Sequence, residues 1–238
     1  SKLEEIAKIS YPNYWLLQSK KMIIFQIENF NLTKKKYFDF IIKNSADKLF
    51  FDLVLVTKDR RKLFLNLISI FASEGISIYE ARIFTLDNST VIDTFKFSLS
   101  AEKNFTHYES QRILYSIKKK IRELGRGKEL KVQDISKPSL KFLRKKVELE
   151  FDNKSSTIYS ILVVKTNDRP KLLYDISNIL IKNKVIISMA KISTNGDFVE
   201  DSFHLRNEYG LKIENKNIIK NLMNEIRDKL NHNLNNVI

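Results

Sequence analysis

The sequence predicts an α+β protein made of two tandem sandwiches, each a four-stranded antiparallel sheet with two helices on one face. Three observations carry that expectation. The stretch Asp52–Phe64 (DLVLVTKDRRKLF) returns 109 residues later as Ile161–Leu173 (ILVVKTNDRPKLL). The same offset pairs Thr57 with Thr166, Asp59 with Asp168, Arg60 with Arg169, Leu63 with Leu172, Ile78 with Ile187 and Ala81 with Ala190. One residue is then lost between the turns Asp87–Ser89 and Asn195–Asp197, after which Asp93 and Phe95 match Asp201 and Phe203. Self-similarity at a fixed offset marks a repeated structural unit. The second observation is the order within each copy, β-β-α-β-β-α. The third is the short turn between the first two strands, which sets them antiparallel.

The elements follow from periodicity. Residues 1–33 lie outside the repeat and are expected to connect to an upstream domain, with helices at Ser1–Ile9 and Lys20–Phe30 and a break at Pro12. Ile23, Ile24, Ile27 and Phe30 approach an i, i+3, i+4, i+7 stripe. The first domain is expected over 34–124. It opens with an alternating strand carrying Phe38, Phe40 and Ile42 on one face, followed by the apolar strand 52–57. A helix with Leu63, Leu67, Ile70 and Phe71 on one face comes next and closes at Gly75. Strands 76–86 and 90–99 and a long amphipathic helix, 105–123, complete the copy. A basic linker, 125–146, holds Gly125, Gly127 and Pro138, with a short strand expected at Glu129–Gln133. The second domain, 147–238, repeats the series: Val147, Leu149 and Phe151 on one strand face, the strand 160–166, and a helix carrying Leu172, Ile176, Ile179 and Leu180. Pro170 suits that helix's first turn and Asn183 stands at its end. Strands 185–194 and 198–205 and a helix at 215–231 follow. A ferredoxin-like domain runs β-α-β-β-α-β, its last strand beside its first. Here the extra opening strand takes that fourth slot.

Composition excludes more than it assigns. Cysteine is absent, so disulfides and thiolate ligands are absent too. The three histidines, His107, His204 and His232, do not have the spacing of a zinc site. The net charge of +14 comes from lysines spread along the whole chain. Such charge supports loose association with polyanions without defining a function, so a nucleic-acid role is not expected. No apolar run reaches the ~20 residues of a membrane span, and the N-terminus has no signal-peptide pattern. A cytoplasmic protein is expected. Because the first residue is Ser, the chain is expected to continue a longer one.

The strand, the Asp-Arg-Pro-x-Leu segment, the helix and the two following strands, in tandem, resemble the ACT domain, a small regulatory module that often binds amino acids. The resemblance is closer still to one family. Leu55–Phe64, Glu74–Thr85 and Asp93–Phe95 look like the first ACT domain at the C-terminal end of the bifunctional protein-PII uridylyltransferase/uridylyl-removing enzymes. Phe151–Asn153 and Asp168–Asp175 look like the second, and Tyr11–Trp15 is similar to the connector after that family's hydrolytic domain. The resemblance implies a sensor, in which the ACT pair binds glutamine and reports to two upstream active sites. One transfers UMP to the PII signalling protein with a divalent metal such as Mg2+, and the other hydrolyses it off. This chain has neither the Gly-Ser motif with paired Asp of the transferase nor the His-Asp dipeptide of the hydrolase. No catalytic residue, metal ligand or cofactor is therefore assigned to the chain itself.

The candidate site is the strand-to-helix junction of each copy: Lys58, Asp59, Arg60, Lys62 and Leu63, and Asn167, Asp168, Arg169, Lys171 and Leu172. A helix N-terminus offers free N–H donors and a positive dipole end to an α-carboxylate. The Asp offers a charge-assisted hydrogen bond to an α-ammonium. Asp59 and Asp168 also suit a plain N-cap, worth about 1 kcal/mol each. Lys62 and Lys171 stand where the family has glycine, a side-chain-free position that lets backbone approach a ligand, and Arg61 stands where it has proline. A lysine there either crowds the pocket or reaches an anionic group. Asp93 and Asp201 face either the ligand or the solvent-exposed side, with solvent the preferred reading, and His107 and His204 are read as ordinary surface or core residues. Phe64, Phe71, Phe84, Phe95 and Phe97 are read as core. Two other readings remain: a ligand-free module joined through exposed sheet edges, and weak nucleic-acid binding by the linker segment Lys137–Lys146.

Overall fold

The computed structural model describes residues 2–10, 12–16, 18–33, 37–45, 50–60, 62–99, 106–128, 147–167, 171–192, 194–195 and 198–235. Arg61, the linker 129–146 with its expected strand Glu129–Gln133 and the segment Lys137–Lys146, and Asp168, Arg169 and Pro170 lie outside the described residues. Three helices come first: α1 (Lys2–Ile9), α2 (Pro12–Leu16) and α3 (Lys20–Asn29). The first copy follows as β1 (Phe38–Asn44), β2 (Phe51–Lys58), α4 (Leu63–Ser73), β3 (Ser77–Thr85), β4 (Thr90–Ser98) and α5 (His107–Gly125). The second runs β5 (Glu148–Asp152), β6 (Ser160–Asn167), α6 (Leu172–Lys182), β7 (Ile186–Lys191), β8 (Thr194–Asn195), β9 (Phe198–Arg206) and α7 (Lys216–Asn235).

Each copy forms the expected sheet, β1-β2-β4-β3 and β5-β6-β9-β7, with the opening strand beside the central one as the hairpin requires. The two sheets are one. β3 pairs antiparallel with β7, so the order runs β1-β2-β4-β3-β7-β9-β6-β5, with β8 added on β9. The register at the join follows from the duplication. Ala81 faces Ala190, its own equivalent, with Glu80 opposite Lys191 and Arg82 opposite Met189. Equivalent strands running antiparallel through equivalent residues make an isologous contact, here within one chain. Both alanines are fully buried.

Helices α4 to α7 line one face. α4 contacts both α5 and α6, and α6 contacts α7, so one apolar core runs beneath both copies. The opposite face divides. Over the first copy, Ile6, Tyr14, Ile23, Ile27, Phe30 and Leu32 of the leading segment pack on Val54, Val56, Phe84 and Ile92. Residues 2–33 thus form a third layer as well as leading into the repeat. The sequence shows why. β2 is apolar on both faces, with Leu53, Val54, Leu55 and Val56 all fully buried, the pattern of a strand covered twice. In the second copy Val56 becomes Lys165 and Ile92 becomes Glu200, and these two form an exposed ion pair at 3.5 Å. That face meets solvent. Polar groups inside the third layer are paired. Gln26, wholly buried, accepts from the Tyr14 hydroxyl at 2.8 Å and donates to Gln18 Oε1 at 2.8 Å and Thr94 Oγ1 at 3.3 Å.

Helix ends correct two expectations. Gly125 is the last residue of α5, not part of the linker, and a Cβ there would come within 2.5 Å of the Phe38 ring. Gly127, at φ +83, is the residue that turns the chain out of α5. The second copy's counterpart of Gly75 (φ +66) is Lys184 (φ +59); Asn183 precedes it and donates from its side chain to Ile179 O. α5 begins with a capping box, Thr106 and Glu109 bonding each other's backbone N–H.

Candidate functional site

At the β2–α4 junction the side chains are sorted by what already holds them. Lys58 Nζ donates to Asn88 O at 2.6 Å and Thr90 Oγ1 at 2.9 Å. Asn88 and Thr90 in turn bond Leu32 O, so Lys58 ties β2 to the β3–β4 turn and the leading segment. Arg60 Nη1 donates to Leu124 O at 2.8 Å, at the C-terminus of α5, with its guanidinium over the Phe38 ring. A cation at that end meets the negative pole of the helix. Phe38 and Val91 flank Thr57 from opposite sides, so Arg60 is turned to the β1 edge and away from β4. Asp59 is exposed; its backbone N–H bonds Ser89 O.

Asp59 is not the N-cap. That place belongs to Lys62, in the left-handed region at φ +62, and in the second copy to Lys171 at φ +67. Neither cap residue's side chain bonds its helix, and the backbone N–H of Leu63 donates to Arg60 O at 3.2 Å. The paired positive φ also explains the glycine of the related family. A residue without Cβ enters this region freely, so the glycine serves the backbone turn and not only close approach to a ligand. Leu63 and Leu172 are buried in the core. Asn167 is buried at the end of β6, while Asp168 and Arg169 lie outside the described residues.

The expectation that Asp93 and Asp201 face solvent is overturned. Each is only 1% exposed. Asp93 shares the helix-side face of β4 with Val91, Phe95 and Phe97, between Leu55 on β2 and Ile83 on β3. Phe64, in the first turn of α4, stacks on Phe95 at 5.9 Å, which sets that turn over the same stretch of strand. Neither carboxylate oxygen of Asp93 has a hydrogen-bond partner. Burial first, and the charge of nearby Asp59 second, hold its carboxyl well above the ordinary 3.8. The signal was in the sequence: period-2 alternation puts Asp93 on the face of Phe95 and Phe97.

The remaining groups fit their expected places. Phe64, Phe71, Phe84, Phe95 and Phe97 are all buried, Phe84 beneath the third layer. His107 is exposed, and His204 sits half-buried against Tyr159. Among the described residues no cluster of three His, Asp or Glu side chains is placed to hold a metal ion. Among them, too, no helix is long and apolar enough to cross a membrane.

No protein-family model matches the chain. Curated proteins do. A bifunctional uridylyltransferase/uridylyl-removing enzyme of Cereibacter sphaeroides is 31% identical over 173 residues, 72% of this chain. That of Azospirillum brasilense is 27% identical over 94% of the chain, and that of Ruegeria pomeroyi 30% identical over 71%. The chain spans about a fifth of the length of these relatives, 19%, 24% and 19% respectively. The chain therefore belongs to the family of the bifunctional uridylyltransferase/uridylyl-removing enzymes, as a C-terminal region of it.

Proposed function

We propose that the chain is the amino-acid-sensing part, with glutamine as ligand, of an enzyme that adds UMP to and removes it from the PII signalling protein in the cytoplasm. The reading rests on one observation in particular: both copies present an uncapped helix N-terminus at the end of a central strand, reached through the same left-handed lysine. Open N–H donors and the positive helix pole receive an α-carboxylate, and Asp59, exposed at the mouth of the first junction, receives an ammonium. Lys58 and Arg60 hold the junction's shape, and Lys62 and Leu63 set its backbone. Asn167, Asp168, Arg169, Lys171 and Leu172 make the matching set in the second copy. Any Mg2+ used in nucleotidyl transfer belongs to the rest of the enzyme.

The joined sheet supports coupling between the two copies. β3 and β7 are hydrogen-bonded and α4 touches α6, so a shift at either junction strains a shared core. The intrachain use of the β3 and β7 edges also supports a second reading, a purely structural pairing module. The two are separated by titrating the purified chain with L-glutamine and watching its thermal unfolding. A saturable rise in Tm supports the sensor. No rise at millimolar glutamine, glutamate or other amino acids leaves the pairing module.

A further inference from the structure

We propose that Asp93 is the buried counter-charge of the first-copy site, receiving the ammonium of a bound amino acid beneath Asp59; this deepens the sensor reading and rests on it. A buried carboxyl group with no partner on either oxygen is costly to maintain, and native interiors rarely keep one without a use. Its strand neighbours, Leu55 and Ile83, are apolar and offer it nothing. Among the described residues, the charge that acts on it is that of Asp59, which has the same sign. Two carboxyl groups, one exposed and one buried, therefore lie near the first turn of α4, where Phe64 stacks on Phe95. The N–H groups of that turn have no side-chain cap. Acceptors below and donors above complement the ammonium and carboxylate of an α-amino acid.

The site is coupled to protons. Empty, burial and the charge of Asp59 favour the neutral form of the Asp93 carboxyl. When an ammonium arrives, the carboxylic acid gives its proton to solvent and remains as a carboxylate hydrogen-bonded to the ammonium. Binding thus releases a proton, and affinity rises with pH while the free carboxyl stays protonated.

The test is calorimetric titration of the whole chain with L-glutamine near pH 7, in several buffers of different ionisation enthalpy. The wild type is expected to release protons on binding. Asp93→Asn, nearly the same shape, is expected to bind about tenfold more weakly or worse and to release none. Infrared spectroscopy gives a second readout that needs no variant, since the protonated-carboxyl band of the free chain is expected to fall as glutamine saturates it. Binding without proton release or loss of that band overturns the assignment and leaves the sensor reading standing. So does binding that survives Asp93→Asn and is abolished by Asp168→Ala. Absence of any glutamine binding by the wild type removes both.

Discussion

Replacing Lys62 with glycine is expected to stabilise the chain, against the usual effect of introducing glycine. Lys62 is exposed and sits at φ +62, ψ +16 immediately before α4. A residue with a Cβ in this region loses about 1–2 kcal/mol to the clash with its own backbone. Glycine removes that strain but adds freedom to the unfolded chain, worth about 0.5–1 kcal/mol. The net gain is about 0.5–1 kcal/mol, or roughly 1–4 °C in Tm for a chain of this size. Urea unfolding followed by circular dichroism is the assay, with a higher midpoint at unchanged slope as the expected result. Lys119→Gly is the control. Lys119 is exposed in the middle of α5, where glycine costs about 1 kcal/mol. If Lys62→Gly destabilises as Lys119→Gly does, the turn is not left-handed, and the explanation of the glycine common in the related family falls with it.

Further outcomes follow from the same structure. Lys184→Gly, at φ +59, is expected to gain a similar amount less its exposed ion pair with Glu208, read in the same urea experiment. Gly125→Ala forces a methyl into the Phe38 ring and is expected to cost about 1–3 kcal/mol, with Gly127→Ala perturbing the turn but not that ring. Arg60→Ala removes the bond to Leu124 O and the cover over Phe38; a loss of about 1–3 kcal/mol is expected, and Arg60→Lys recovers part of it. Asp93 binds its proton more tightly folded than unfolded. Its contribution to stability is therefore complete below the unfolded value near 3.8 and is lost as pH rises toward the higher folded value. Stability measured across that range is expected to fall in the wild type and to fall less in Asp93→Asn; equal slopes contradict the burial of an ionisable group there.

Much of this architecture is written in local pattern, and what is not has a physical reason. The duplication and the hairpins give both sheets, because an antiparallel neighbour joined by a short turn has one place to go. The joining of β3 to β7 depends on which sheet edge stays uncovered, and periodicity says nothing of edges. The third layer was visible in part. A strand reading Leu53-Val54-Leu55-Val56 needs cover on both faces, while its copy with Lys165 does not. At the junction, residue types invited the wrong capping assignment. Asp59 has the chemistry of an N-cap, yet the chain turns through Lys62, and a left-handed lysine leaves no mark in composition. Asp93 was legible from its parity with Phe95, but an acidic residue on an apolar face contradicts the rule that places charge outside.

Binding of glutamine at the strand-to-helix junctions is the central claim. Amide NMR spectra of the labelled chain, recorded through a glutamine titration, test this residue by residue. Saturable shifts centred on Asp59–Leu65 and Asn167–Leu173, with Asp93 and Asp201 moving at the same midpoint, are the predicted result. Unchanged spectra, or shifts confined to the outer face of β6 and β9, contradict it.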